Sequence, residues 1–221
     1  MKYQTTLALA ALLACSFSAS AQKAGSWSAS SGITQIAPDV TSGNLSAPSL
    51  PGTQADVNSN TQLTGAVNYA MTDNIVLNVP LGFGFKHKVT GAGAIAGVGV
   101  IGTTKVLPIT LIGQYRFMDA KAAFRPYVGG GLSYVNFYKE TGTSVLTALT
   151  NPGGPGTTLR FKDKIAPTIQ LGMVYNINEK WYVDANYTKT FLKTVGTLST
   201  GQTLRTKLDP NGYTFQVGYK F

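Results

Sequence analysis

The chain is short of the residues that most chemistry needs. It holds one cysteine, Cys15, one histidine, His87, and 9 acidic residues against 18 basic ones. A single cysteine rules out an internal disulfide, and one histidine with no cysteine beside it makes no zinc cluster. Barrel-borne catalysis needs an activated nucleophile or an acid–base pair. The one carboxylate at an inward strand position, Asp184, is far from His87, so no enzyme, cofactor or metal is expected. Long apolar runs are missing too: residues 5–14 form the only candidate, too short for a membrane helix. The formal net charge of +9 is scattered among connections instead of gathered on one module, which argues against nucleic acid as a partner.

That short run fits a leader. Met1-Lys2, the apolar stretch and Ala19-Ser20-Ala21 have the order of a secretory signal peptide. Residues 1–21 are therefore expected to be removed, leaving 22–221 as one domain without cysteine. Leu12-Leu13-Ala14-Cys15 resembles a lipoprotein cleavage box; in that alternative Cys15 carries the lipid.

What the chain has in quantity is glycine and aromatic residues, with 25 Gly, 11 Tyr and 10 Phe, and one repeated pattern. In residues 61–85 apolar and polar side chains alternate: Leu63, Val67, Tyr69 and Met71, then Ile75, Leu77, Val79, Leu81, Phe83 and Phe85, against Gln62, Thr64, Asn68 and Asn78. Period-2 alternation marks strands with one apolar face. Thr72-Asp73-Asn74 between the arms suits a tight turn. An arm of about 10 residues is the length a tilted strand needs to cross a bilayer.

The same alternation returns at 106–117, 124–138, 162–176, 181–191 and 212–221, with a weaker first strand at 25–36. Eight strands result. The connections 37–60, 86–105, 139–161 and 192–211 are long, and those at 72–74, 118–123 and 178–180 are short. Long loops at one end of an even-numbered antiparallel barrel are the layout of outer-membrane barrels. Tyr69, Tyr115, Tyr175, Trp181 and Tyr219 gather at the short-turn end as an interfacial girdle. A soluble barrel would turn its apolar face inward. The length of the apolar faces, the polar opposite faces, the leader and the loop asymmetry favour lipid outside. The expectation is an all-β, eight-stranded antiparallel transmembrane barrel, closed because hydrocarbon leaves no backbone group unpaired.

Eight strands leave room for side chains or one small ligand only. Strand direction places Arg116, Arg125, Tyr127, Tyr182, Asp184 and Lys220 inside the periplasmic end, as a plug. The upper lumen is expected to be uncharged, lined by Gly82, Gly84, Pro108, Thr110, Val135, Phe137 and Ala166. Pro80 and Pro108 lie on neighbouring strands three and four, where proline donates nothing to the ladder. A lateral opening is expected at that seam, beneath an apolar loop holding Ile95, Val98 and Ile101. His87 is expected at the rim, on the lipid face. Basic residues at the outer end suit anionic lipopolysaccharide.

The segments TQLTGAVNYAMTDNIVLNVPLGFGFKHKV, TKVLPITLIGQYRF, FRPYVGGGLSYVNFY, FKDKIAPTIQLGMVYNI and the terminal GYKF resemble the OmpW family of outer-membrane proteins. The markers are Thr72-Asp73-Asn74-Ile75, Leu107-Pro108, Phe124-Arg125-Pro126-Tyr127-Val128-Gly129 and Lys162-Asp163-Lys164. The resemblance covers nearly all of the mature chain and is weakest in the long loops. It implies a monomeric barrel in the outer membrane of a Gram-negative bacterium, with a narrow hydrophobic channel. Small hydrophobic molecules would enter passively and leave sideways into the bilayer. It also implies that Tyr219 and Phe221 are a signal to the barrel-assembly machinery. The alternative is a surface barrel with a plugged lumen, whose loops bind phage, bacteriocin or host factors.

Overall fold

A computed structural model describes residues 24–221. The expected leader, with Cys15 and the expected cleavage site, lies outside the described residues. The strands are β1 Trp27–Ala37, β2 Thr41–Ser42, β3 Thr53–Val57, β4 Asn60–Ala70, β5 Ile75–Gly82, β6 Phe85–Gly93, β7 Val100–Arg116, β8 Phe124–Gly142, β9 Leu159–Phe161, β10 Lys164–Asn176, β11 Trp181–Thr190, β12 Lys193–Leu198, β13 Thr203–Lys207 and β14 Asn211–Lys220. Among the described residues one helix, α1, covers Ser144–Thr150.

All strand pairs are antiparallel, and the wall closes on itself through β7 and β8. The eight crossings are β1, β4, β5, β7, β8, β10, β11 and β14. Closure removes every sheet edge, which is what permits a sheet to cross a membrane. First and last strands pair along β1, from Ser28 opposite Lys220 to Ala37 opposite Asn211. Both chain ends of the barrel therefore lie with the short turns.

The apolar face points out. Leu63, Leu81, Phe83, Ile109, Leu111, Leu132, Ile165, Leu171 and Phe215 are exposed, while Asn68, Asn78, Gln114, Arg116, Arg125, Asp184 and Gln216 are buried inside. In water this exposure would cost about 25 cal/mol for each Å² of apolar surface; in hydrocarbon it costs nothing. The girdle forms at the short-turn end as aromatic pairs, Trp27 with Tyr69 at 4.8 Å and Trp181 with Tyr219 at 5.0 Å between ring centroids.

The four long connections are not loops. Residues 86–105, expected to be irregular, supply β6 and the beginning of β7, because alternation continues through Phe85, His87 and Val89 against Lys86, Lys88 and Thr90. Within 37–60 lie β2 and β3, within 139–161 α1 and β9, and within 192–211 the hairpin β12–β13. β2, β13, β12 and β9 form a second sheet. It closes over the outer mouth as a cap with its own apolar core of Ala55, Val89, Ile95, Ile101, Leu146, Leu159 and Leu198. These residues sit in segments too rich in Gly, Pro and Thr for a strand to be legible, yet they are apolar enough to bury one another. The chain reverses between β6 and β7 on Gly97 and Gly99, with φ of 87° and 84°, a region side chains resist.

Candidate functional site: the lumen, its floor and its broken wall

The third crossing is bent. β5 turns Val76 and Asn78 inward, whereas β6 turns Phe85, His87 and Val89 inward. Gly82-Phe83-Gly84 absorbs the change of parity. Uninterrupted alternation put Phe85 and His87 on the lipid face; instead His87 is 3 % exposed, with Nδ1 2.7 Å from the Asn58 carbonyl oxygen. Phe83, at the bend, is 85 % exposed.

The bend breaks the ladder. β5 pairs with β7 only from Ile75 opposite Tyr115 to Asn78 opposite Ile112. Pairing with β7 resumes at Phe85 opposite Val106. Residues 79–84 and 107–111 face each other across this interval without a register. On its other side β7 stays paired with β8 throughout, Pro108 opposite Val135 and Thr110 opposite Ser133. Pro80 falls inside the unpaired stretch of β5 and Pro108 inside that of β7, each lacking the N–H that would bridge it.

A cavity of about 140 Å³ lies behind the break. Phe85, Val106, Ile112, Val135 and Leu192 give it apolar walls, and Pro80, Gly82, Pro108 and Thr110 line it as well. Leu81, Phe83 and Leu107 line it too. Leu81 and Phe83 are also exposed on the outer face, so the same two residues touch the cavity and the lipid side. Its far wall carries hydroxyls in a chain, Thr110 to Ser133 at 2.8 Å, Ser133 to Thr168 at 2.6 Å and Thr168 to Thr190 at 2.9 Å.

Several expected lining residues lie elsewhere. Gly84 is packed beneath Tyr138; a Cβ there would run into that ring. Phe137 packs against Phe161 at 5.3 Å, in a cluster with Val135, Ala166, Leu192 and Leu208. Ile95 and Ile101 are not a flap over the seam but belong to the cap core, with Val98 packed against them. They go with a second cavity of about 100 Å³ above the first, lined by Ile95, Ile101, Leu146, Leu159, Leu198 and Leu204 among others.

Below the lower cavity the barrel is filled. Tyr127 donates its hydroxyl to Asp184 at 3.0 Å, and Asn186 Nδ2 donates to Asp184 Oδ1 at 2.7 Å. Arg116 holds Gln114 Oε1 at 3.0 Å and stands 5.7 Å from the centre of the Tyr127 ring. Asn68 Nδ2 donates to the Tyr182 hydroxyl, which in turn donates to Ser28 at 3.3 Å. Arg125 reaches down to the turns, its guanidinium donating to the Asp73 and Phe117 carbonyls at 2.6 and 3.3 Å. Lys220 donates to Asn176 Oδ1 at 2.8 Å. The six residues lie at the periplasmic end and bond to amides, hydroxyls, carbonyls and, at Asp184, a carboxylate; both ion pairs among the described residues, Lys189–Asp39 and Lys207–Asp209, lie at the outer end. The amide partners Gln114, Asn68 and Asn186 were missed as members of this floor, although their inward parity was visible in the sequence.

At the outer rim Asp163 ties β8 to the start of β10. Its Oδ1 accepts the Phe137 N–H at 2.8 Å and its Oδ2 accepts from Asn136 and Tyr134. The Phe137 N–H above all holds this carboxyl below its ordinary value.

A closed antiparallel barrel with an outward apolar belt, an aromatic girdle and a folded outer cap is an integral outer-membrane protein. The chain belongs to the OmpW family, which it matches over residues 23–221. Outer membrane protein W of Vibrio cholerae is 34 % identical over 99 % of each chain. A Pseudomonas aeruginosa protein named PahQ, of a dibenzothiophene metabolism operon, is 25 % identical over 98 % of each. Among solved structures, the crystal structure of OprG from Pseudomonas aeruginosa superposes with a TM-score of 0.81 at 26 % identity, covering 93 % of this chain and 99 % of that one. These likenesses place the protein in the outer membrane of a Gram-negative bacterium.

Proposed function

We propose that the protein is a passive channel for small hydrophobic molecules, which enter through the cap and leave sideways into the membrane between β5 and β7. The observation that carries this reading is the interrupted pairing opposite an apolar cavity, with Pro80 and Pro108 at the gap. A closed barrel in lipid ordinarily pairs every backbone group, so an interval without register is a place where the wall opens at least cost. The floor of Tyr127, Tyr182, Arg116 and Asp184 supports the same conclusion. An apolar solute gains nothing by displacing buried, hydrogen-bonded polar groups, and loses several kcal/mol if it breaks them. The two stacked apolar cavities give it a path from the cap to the gap. The relative from a dibenzothiophene metabolism operon points to apolar aromatic compounds as one class of cargo. Tyr219 and Phe221, at the end of β14, serve in this reading as the recognition signal for barrel assembly.

The test is uptake of an apolar fluorophore into liposomes containing the assembled protein. Pro80→Val with Pro108→Val supplies two donors to the gap and should slow uptake. Unchanged uptake in properly assembled barrels would remove the lateral exit. A folded cap, held by its own sheet, is the feature that favours the alternative of a surface receptor. Uptake no faster than in protein-free liposomes would favour that alternative.

A further inference from the structure

Above the gap the outer wall carries a concentration of positive charge. β6 turns Lys86 and Lys88 outward, both exposed, on either side of buried His87. Lys86 lies directly opposite Lys105 of β7, and Lys88 opposite Thr103. Lys105 in turn faces Tyr138 of β8. Directly opposed side chains in an antiparallel pair have Cβ atoms about 5 Å apart, and like charges there repel. None of them is in a close ion pair: neither ion pair among the described residues involves these three lysines. The acids nearest by register are Glu140, on β8 between the partners of Lys105 and Thr103, whose Oε1 accepts the Phe161 N–H, and Asp56, opposite Thr90, whose Oδ1 accepts the Val57 N–H.

Their height on the wall says what could. Immediately below on the same two crossings the outward residues are Phe83 and Leu81, then Ile109 and Leu111, all exposed and apolar. Lys105 stands four residues above Ile109, about 13 Å along the strand. Three cations outside any close ion pair therefore sit at the level where hydrocarbon gives way to headgroups, just above the broken seam. Anionic headgroups stabilise cations at that level, and phosphate accepts several ammonium donors at once.

We propose that Lys86, Lys88 and Lys105 form a binding site for the phosphate of lipid A, the anionic glycolipid of the outer leaflet, whose acyl chains lie on Phe83, Ile109 and Leu111 and cover the gap between β5 and β7. The site rests on the membrane placement of the barrel and not on transport, since it is measured without any solute. A lipid held there shields the interval between β5 and β7 that lacks a pairing register.

Native mass spectrometry of the detergent-purified barrel, titrated with bisphosphorylated lipid A and with the same lipid stripped of phosphate, tests it. The phosphorylated lipid should bind and the stripped lipid should not compete. The variant K86Q/K88Q/K105Q should weaken binding by roughly ten- to a hundredfold. A charge-matched variant on the cap, R160Q/K193Q/R205Q, should leave binding unchanged. Equal binding by the stripped lipid, equal loss in the cap variant, or a change of less than about twofold in the triple lysine variant would each overturn the site. Assembly is checked by heat-modifiable migration in gels. If the triple variant does not assemble, Lys105→Gln alone is compared with Arg160→Gln under the same three criteria.

Discussion

Removing the Tyr127 hydroxyl should destabilise the barrel more than removing the charge it serves. Asp184 is 7 % exposed, and its oxygens take the Tyr127 hydroxyl at 3.0 and 3.1 Å and the Asn186 amide at 2.7 Å. The Tyr127 ring cannot move to compensate, because it lies directly over Gly172, where even a Cβ would collide with it. Tyr127→Phe keeps the ring and deletes the donor, leaving a buried carboxylate short of a partner. Hydrogen bonds to charged groups contribute about 1.5–3 kcal/mol, and that is the loss expected. Asp184→Asn removes the charge instead. Its amide can keep an oxygen toward Asn186 and turn its NH₂ toward the Tyr127 oxygen, so about 1 kcal/mol or less should be lost. The double variant should then be more stable than Tyr127→Phe alone, since what is left unpaired is neutral. Urea unfolding in detergent micelles, followed by the fluorescence of Trp27 and Trp181, measures all three. A double variant less stable than Tyr127→Phe would refute the account of the floor as a network built to hold a charge.

Ile101→Ala removes a side chain from the cap core and should cost about 2–4 kcal/mol of cap stability, seen as faster trypsin cleavage in residues 139–164 with the barrel's heat-modifiable band intact. Gly218→Ala drives a methyl into the Tyr182 ring, whose hydroxyl is fixed by Asn68 and Ser28; a loss of about 1–3 kcal/mol should be recovered by trimming the ring with Tyr182→Leu. Asp163 is held below its ordinary value, chiefly by the Phe137 N–H, so its contribution is present above the ordinary carboxyl value and lost as pH falls through the lowered one. Protection from hydrogen exchange at the β8–β10 rim, taken relative to the intrinsic rate at each pH, should therefore fall in acid, and Asp163→Ala should remove that change while lowering protection at neutral pH.

How much of this is legible in the sequence depends on what each segment is surrounded by. Along the membrane crossings each strand has lipid on one face and a polar interior on the other, so every second residue reports its environment. That is why the eight crossings, the girdle and the floor residues Arg116, Arg125, Tyr127, Tyr182 and Asp184 could be read from parity alone. Above the membrane both faces meet water or one another, and the pattern loses contrast. The strands β2, β3, β9, β12 and β13 run 2 to 6 residues, too short for alternation to declare itself, and the cap core is assembled from residues more than 100 positions apart, such as Ala55 and Leu198. The third crossing failed for a different reason. Gly82-Phe83-Gly84 kept the apolar rhythm of the sequence while the backbone turned over, so Phe83 stayed outside, Phe85 and His87 went inside, and parity counted across the bend gave the wrong face. The pairing with β7 stops at Asn78, ahead of these glycines, and resumes at Phe85, directly after the second. A stretch whose pattern and whose fold disagree is where the backbone has given up a regular ladder, and here that place coincides with the gap in the wall, the cavity behind it and the three lysines above it.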